Sequence, residues 1–482
     1  MKNSFEYLPQ NERKKILLIT DDIRVHSGVA TVAREIVIHT AHHFNWCQMA
    51  GSIKHPDKGK KLDLTKDTNE TAGIDDSYVM LYPVDGYGDP NILRQVIDIE
   101  KPDAILLITD PRYFEWLFMM ENEIRKNIPI AYLNIWDDYP APLYNRAYYE
   151  ACDLLMGISK QTVNINNLVL GEKAKDRIIK YVPHGLNTDL FFPIDDTYSK
   201  LKEFKEFRKN LFKGKQFDFV TFFNSRNIRR KQIPDTLLSF RYFLDKLSPE
   251  EASKCALLIH TDTRVSDHGT DLNAVIELLL NEYKDNIIFT DQKLGVEQMN
   301  WLYNCADVQI LLSSNEGWGL SLTEALITAT PIIANVTGGM QDQLGFKDNN
   351  GNWFTPDAEI PSNHNGTFTE HGEWAYPVFP TNRSIQGSPK TPYIWDDRCR
   401  AEDAADQIMN AYMDGINIRV EKGLKGRDWA LSDEVGFTMK HQADRVMNAF
   451  TELFNTWKPR EKFEFINTNE VDRKVVPHKL LY

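Results

Sequence analysis

Along most of the chain, short apolar runs alternate with stretches whose apolar positions recur at helical spacing. Short runs bounded by turn residues mark strands buried on both faces, and recurrence every three to four residues marks amphipathic helices. In the first half, 16–20, 78–82, 104–108, 130–135 and 154–158 read as strands, and 29–42, 91–99, 111–125 and 142–151 as helices. The pattern breaks at Val182-Pro183-His184-Gly185, and a Lys-, Phe- and Asp-rich connection runs to about residue 216. It then restarts, with strands at 219–223, 256–260, 286–290, 308–312 and 331–336 and helices at 233–247, 272–283, 296–305 and 320–328. Such alternation predicts an α/β chain of two successive Rossmann-like, doubly wound parallel-sheet domains.

The character changes at 345–398, which is rich in Asn, Gly, Pro, Thr and aromatic residues and lacks helical periodicity. It is too long for an ordinary connection and reads as an inserted functional loop region. Helical patterns return at 401–413 and 437–457, and the residues after Lys458 read as an extended tail. The expected organisation is 1–195, 216–400 with the insert inside it, and 401–482 as helices packing back across both domains plus the tail.

Composition narrows the function classes. A chain of 482 residues exceeds one core, and 42% hydrophobic with 26% charged residues is globular. The 56 Lys+Arg against 69 Asp+Glu give a net charge of -13, which argues against a generally basic nucleic-acid binder but leaves a local basic groove open. No apolar stretch is long enough to span a bilayer, and the start MKNSFEYLPQNERKK has no apolar segment of the signal-peptide kind. Cys47, Cys152, Cys255, Cys305 and Cys399 lie far apart, without zinc spacing. Free thiols in a reducing, cytoplasmic location are expected.

Ligands in open parallel sheets bind beyond the carboxyl ends of the strands. In the first unit that place holds Thr20 to Ala30, where Ser27-Gly28 opens a helix, as a plain strand-to-helix turn also would. In the second, Asn224-Ser225-Arg226-Asn227-Ile228-Arg229-Arg230-Lys231 follows a strand. Four crowded cations suit an anion such as a diphosphate, clamped by Arg226 and Lys231, or form a solvated basic loop. Further on, Ser313 to Glu324 carries Glu316 and Glu324 around Gly317 and Gly319. These carboxylates can accept hydrogen bonds from sugar hydroxyls, and Thr337-Gly338-Gly339 adds backbone NH groups.

The spacing Glu316-x7-Glu324 in EGWGLSLTE resembles the signature of retaining GT-B glycosyltransferases, especially glycosyltransferase family four. Arg226 with Lys231 resembles that family's diphosphate-binding pair, Tyr181 to Asn187 its interdomain segment, Thr337-Gly338-Gly339 its glycine pair and Ser27-Gly28 its amino-terminal glycine loop. The resemblance implies two Rossmann-like domains facing across a cleft, the first selecting the acceptor and the second holding a nucleotide-diphosphate sugar. It implies a donor site of Ser27, Gly28, Arg226, Lys231, Glu316, Gly317, Trp318, Gly319, Leu320, Glu324, Gly338 and Gly339. In it Glu324 holds the ribose, Glu316 the donor sugar, and Arg226 and Lys231 the leaving diphosphate. Configuration is retained, and neither metal nor cofactor is needed beyond the co-substrate. The sequence has no Asp-x-Asp, the motif of the metal-dependent GT-A class.

Several residues depart from that pattern. Where family members often carry a histidine, the chain reads Trp136-Asp137-Asp138. Asp137, a candidate catalytic residue together with Arg226, Lys231 and Glu316, or Asp138 takes over the sugar contact, orients the acceptor, or caps a helix. Asp110, Trp136, Asp138 and His184 are acceptor-side candidates. Gln232 stands where the family usually has glycine, and Asp342 where it has glutamate. The aromatic-rich insert resembles inserts of bacteriophage glycosyltransferases. Three readings follow. The first is transfer to a saccharide, lipid-linked or small-molecule hydroxyl. The second is transfer to hydroxymethylcytosine in phage DNA, in the host cytoplasm, with Lys54, Lys58, Lys60 and Lys61 lining a groove. The third is nucleotide-sugar binding without turnover. No face suited to membrane insertion is evident.

Overall fold

A computed structural model describes residues 6–264, 269–290 and 293–460; the tail expected after Lys458 lies almost wholly outside them. The first sheet holds β1 (Lys14–Asp21), β2 (Phe44–Ser52), β3 (Leu62–Asp63), β4 (Val79–Asp85), β5 (Ala104–Ile108), β6 (Ile130–Asn134), β7 (Leu154–Gly157) and β8 (Ile178–Tyr181). Their order is β3-β4-β2-β1-β5-β6-β7-β8, parallel throughout except for the short β3. Period-two geometry explains why these strands are apolar on both faces. In β1, Ile16 and Leu18 enter one buried cluster while Leu17 and Ile19 enter the other, on the opposite side of the sheet.

The second sheet holds β9 (Phe219–Asn224), β10 (Cys255–His260), β11 (Ile287–Thr290), β12 (Val308–Leu311), β13 (Ile332–Asn335) and β14 (Ala375–Val378). Its order is β11-β10-β9-β12-β13-β14, all parallel. In each sheet the strand order reverses once, between β1 and β5 and between β9 and β12. Those reversals open the crevices in which doubly wound folds bind ligands. Here they are flanked by Ser27-Gly28 after β1, the basic loop after β9 and the glutamate loop after β12.

The structure corrects several expectations. The pattern at 111–125 is no continuous helix: a 3-10 turn Pro111–Phe114 leads into two short helices, Glu115–Phe118 and Glu121–Ile124. Likewise 142–151 splits into Leu143–Asn145 and Arg146–Glu150. Both are amphipathic, but each lacks the length that lets a helix propagate past its costly first turn. The strand β2 escaped notice because Asn45 and Gln48 interrupt its apolar run, although both are buried and hydrogen-bonded. The helix Gly415–Leu431 was likewise not expected.

The stretch 345–398 is not irregular throughout. It supplies β14, whose Pro377 is tolerated at the sheet edge, and then an antiparallel hairpin of β15 (Asn382–Ser388) and β16 (Thr391–Arg398). At its base, Asp397 N donates to Ser314 O (2.9 Å) in the second unit. At its far end, Trp395 N donates to Tyr139 O (2.7 Å) and Tyr144 OH to Tyr393 O (2.9 Å) in the first. The hairpin is therefore a strap across the cleft.

The chain crosses between the units twice, and the crossings run side by side. Leu186 N donates to Phe437 O (3.0 Å), and Met439 N donates back to Leu186 O (2.9 Å). The helix Met439–Thr456 then returns to the first unit, where Phe450 and Phe454 pack on Phe44. Gly185 permits this pairing, because a Cβ there would lie 2.2 Å from Thr438 O. Gly185→Ala is therefore expected to cost about 2 kcal/mol of stability, since neither backbone segment can move aside. A urea midpoint unchanged from wild type would show that the crossings are not held this tightly.

Candidate active site

Three backbone segments meet where the units face each other. Gly338, at φ 55°, lies so close to the loop after β12 that a Cβ would come within 2.1 Å of Glu316 O. At Gly339 a Cβ would come within 2.0 Å of Gly317 O, and Gly339 N donates to Glu316 O (2.8 Å). At Gly317 it would come within 2.6 Å of Ile135 O in the first unit. Gly317 N in turn donates to Asp137 Oδ1 (3.1 Å). Glycine is required at each point, and the contacts fix Glu316 and Asp137 against each other.

Around this seam lies a cavity of about 180 Å³, lined by Gly28, Val29, Val32, Ile108, Ile135, Asp137, Ile158, His184, Arg230, Glu316, Gly317, Trp318 and Leu320. Its floor is apolar and its polar groups converge at Glu316. The buried Glu316 Oε2 accepts from Lys231 Nζ, from an Arg230 guanidinium nitrogen at 2.8 Å, and from Ser313 Oγ at 3.3 Å. No described residue donates to Oε1, so one carboxylate oxygen remains for a ligand. Burial alone would push Glu316 up, but Arg230 and Lys231 hold it below the ordinary carboxylate value. Burial likewise outweighs Glu316 at Lys231 and holds the ammonium below its ordinary value. At Asp137 burial prevails over the pull of Arg230 and raises the carboxyl, with Glu316 adding to the rise.

Glu324, half-buried, lies in the helix Leu320–Ile327 that Gly319 precedes. Its Oε2 accepts from Tyr303 OH and, at 3.4 Å, from Asn224 Nδ2. Burial lifts its pKa to about 7 despite these donors. Ser27 caps the helix Gly28–Thr40 by accepting from Ala30 N (3.0 Å), and its own hydroxyl donates to Asp21 Oδ2 (2.7 Å). His184 is buried at the cavity with Nδ1 unpaired, and desolvation lowers its pKa to about 4, which leaves the imidazole neutral.

The structure thus gathers Gly28, Asp137, His184, Glu316, Gly317, Trp318 and Leu320 in the lining of one cavity, with Lys231, Gly338 and Gly339 against Glu316. Other sequence candidates fall elsewhere. Arg226 is exposed. Asp110 caps the turn Pro111–Phe114 and pairs with Arg112, whose guanidinium also reaches Thr391 on the strap. Trp136 is core, its indole donating to Asp138 O (2.8 Å). Asp138 is fully buried: its Oδ1 accepts from Gln161 Nε2 (2.9 Å), and its Oδ2 lies 3.0 Å from Thr337 Oγ1. The same hydroxyl lies 2.8 Å from Asp397 Oδ2. One hydroxyl proton cannot serve two carboxylates, so one of the two carries a proton. Arg383 donates to Asp397 Oδ1 (2.6 Å), which leaves Asp138, raised by burial and by Asp397, as the protonated member.

Both departures from the family pattern have local explanations. Gln232 occupies the left-handed region (φ 50°), as a glycine would, and accepts from Arg398 of the strap (2.9 Å). Asp342 accepts from Lys160 N (2.9 Å) and Tyr181 OH (3.0 Å), bracing the second unit to the first. Arg230, Tyr303 and Asn224 were missed from the sequence. Arg230 had a signal, the run of cations, whereas nothing in the sequence pairs Tyr303 or Asn224 with Glu324.

Residues 205–360 match the family described as Glycosyl transferases group 1. No curated protein matches the chain by sequence. Among solved structures, HepE from Anabaena in complex with UDP and glucose superposes with a TM-score of 0.62 at 13% identity, covering 92% of this chain and 100% of that one. The fold is that of the GT-B glycosyltransferases. Sucrose-phosphate synthase from Thermosynechococcus elongatus gives 0.62 at 16% identity, with 92% and 100% coverage. An E. coli trehalose-6-phosphate protein bound with UDP-2-fluoro glucose gives 0.60 at 12%, with 93% and 100% coverage. At these identities the likeness is one of fold. No helix among the described residues is long and apolar enough to cross a membrane.

The raised pKa of Glu324 makes a stability prediction. Between pH 4.5 and about 7 the folded chain keeps a proton that the unfolded chain has released, so this group's contribution to stability falls as pH rises through that window. Glu324→Gln removes the effect. Its stability relative to wild type is expected to improve by about 3 kcal/mol from pH 4.5 to pH 8. Urea unfolding of both proteins at the two pH values measures this, and a constant difference would contradict the buried carboxyl.

Proposed function

We propose that this protein is a retaining, metal-independent glycosyltransferase that moves a sugar from a nucleotide-diphosphate sugar to a hydroxyl of a saccharide, lipid-linked or small-molecule acceptor. The observation that carries the reading is the Glu316 carboxylate, held through Oε2 by Lys231 with Oε1 free, at the mouth of an interdomain cavity. In this reading Oε1 accepts hydrogen bonds from the donor sugar and Glu324 accepts from the ribose. Lys231 stands where negative charge grows as the diphosphate leaves, and placing a fixed cation there lowers the barrier. The anomeric carbon acquires oxocarbenium character, and the buried carboxyl of Asp137 faces it in the place of the family histidine. Retention is supported by the Glu316-x7-Glu324 resemblance, and the nucleotide donor by the group 1 match and the UDP-bound GT-B neighbours.

A DNA acceptor is less well supported. Lys58, Lys60 and Lys61 pair with Asp85, Asp57 and Glu100, so the loop offers little net positive charge to a phosphate backbone. Catalysis is favoured over binding alone because Lys231, Glu316 and Asp137 meet where the two units face each other. All five cysteines are free, as suits a reducing cytoplasm.

The test is transfer followed by mass spectrometry, with a panel of nucleotide-sugars offered to simple sugars, lipid-linked saccharides, and duplex DNA with and without 5-hydroxymethylcytosine. A mass increase on a saccharide is expected, and transfer to modified DNA alone would replace the acceptor. Glu316→Gln and Lys231→Ala are each expected to lower turnover by about 10²–10³-fold while the fold persists by circular dichroism. Gln is chosen because Ala would leave the Arg230 and Lys231 cations facing a void. Near-wild-type turnover in either variant would overturn the assigned roles.

A further inference from the structure

Three parts of the chain that lie far apart in sequence meet on the hydroxyl of Thr337. Its Oγ1 lies 3.0 Å from Asp138 Oδ2, in the loop after β6, and 2.8 Å from Asp397 Oδ2, on the strap. A hydroxyl that donates to one carboxylate can only accept from the other, so the second carboxyl must bring a proton of its own. Arg383 donates to Asp397 Oδ1 (2.6 Å) and keeps that carboxylate ionised, whereas Asp138 Oδ1 has two uncharged donors, Tyr139 N (2.7 Å) and Gln161 Nε2 (2.9 Å). Burial, with Asp397 adding to it, raises the Asp138 carboxyl against the pull of Arg383. Two further titratable groups stand nearby: His364, whose Nε2 lies 3.0 Å from an Arg383 guanidinium nitrogen, and the Tyr139 phenol, which Asn164 Nδ2 meets at 2.7 Å. Asp137 turns away, to Gly317 N (3.1 Å).

The contacts on either side of Asp138 fix the loop that carries Asp137. Thr337 directly precedes Gly338, which packs on Glu316 O, and Trp395 N of the strap donates to Tyr139 O (2.7 Å), one residue beyond Asp138. We propose that the proton shared through Thr337 is a latch that closes the strap on the loop after β6, and that Asp138 is thereby a positioning residue for Asp137. An ionised Asp138 would face the ionised Asp397 across a single donor in a buried place, and two like charges so placed drive strap and loop apart. Opening lets water reach Asp138, which then ionises, so each opening releases one proton. The closed form holds a proton that the open form gives up, and closure therefore weakens as pH rises above the ordinary carboxylate range. The positioning role rests on the part given to Asp137 above; the latch stands without it.

Two measurements on the full chain test this. The first is amide hydrogen exchange at Trp395 N in wild type and Asp138→Asn at pH 6, 7 and 8. Asparagine offers Tyr139 N and Gln161 the same acceptor and points a permanent N–H at Thr337, so its latch has no proton to lose. The ratio of wild-type to variant opening constants is expected to rise with pH, by up to about tenfold per pH unit, the limit for one proton released per opening. A ratio constant over this range would overturn the latch. If Asp138→Asn unfolds, wild type alone decides: its Trp395 opening constant, corrected for the intrinsic exchange rate, must still rise with pH. The second measurement is kinetics with whichever nucleotide-sugar the wild type turns over. Asp138→Ala is expected to lower kcat by about 10–100-fold, with KM for the nucleotide-sugar changed less than about threefold, and Asp138→Asn to restore most of the loss. Thr337→Val, which removes the shared hydroxyl, takes the place of Asp138→Ala if that variant unfolds, with the same expected split. An alanine or valine variant with wild-type kcat, or an asparagine variant that restores nothing, would overturn the positioning role. A wild type that turns over no nucleotide-sugar would remove the reading of Asp137 and the positioning role with it, while the exchange ratio still decides the latch.

Discussion

The site depends on a place where three stretches of backbone touch with no side chains between them. Gly317 lies against Ile135 O, Gly338 against Glu316 O, and Gly339 against Gly317 O. A methyl group at any of these points would force the loops apart, because the opposing atoms are backbone carbonyls with no flexible side chain to give way. The approach brings the glutamate loop of the second unit within hydrogen-bond distance of Asp137 in the first. Without it Glu316 would have solvent around it, and its two cations would be an ordinary surface cluster.

Burial changes what those charges do. An exposed ion pair contributes little, whereas a buried one in which a partner is lost costs about 3–5 kcal/mol. Glu316, Lys231 and Arg230 are sheltered together, so each depends on the others until a ligand takes a share. Glu324 shows the same principle with the opposite outcome. It has hydrogen-bond donors but no cation beside it, and burial lifts it to about 7. Two glutamates of one motif thus differ in charge state because of what lies opposite each. Asp138 and Asp397 make a third case, in which a shared hydroxyl and a single arginine force one carboxyl to keep its proton.

The strap adds a constraint that neither sheet provides. It joins Ser314 and Gln232 of the second unit to Tyr139, Tyr144 and Arg112 of the first. Asp110, an acceptor-side candidate by position, pairs with Arg112 at this junction.

The sequence by itself determined the two α/β units and the placing of Ser27-Gly28, Lys231, Glu316 and Gly338-Gly339 at strand ends, because strand burial and turn chemistry are local and periodic. It also predicted the helices at 401–413 and 437–457, whose apolar spacing is regular. Short helices such as Glu115–Phe118 and the four-residue strand β14 carry too few periods to be read, and the neighbouring core decides them. Tertiary structure alone decided which arginine of a basic run meets Glu316, since a 3-10 turn and the hydrogen bond from Ser314 N to Arg230 O bring Arg230 to it. It alone paired Tyr303 and Asn224 with Glu324, and Asp138 with Asp397, across separations that no local pattern spans. Spacing along a chain fixes which residues share a turn or a face. Which charges meet in a cleft depends on how two sheets and a strap close on one another.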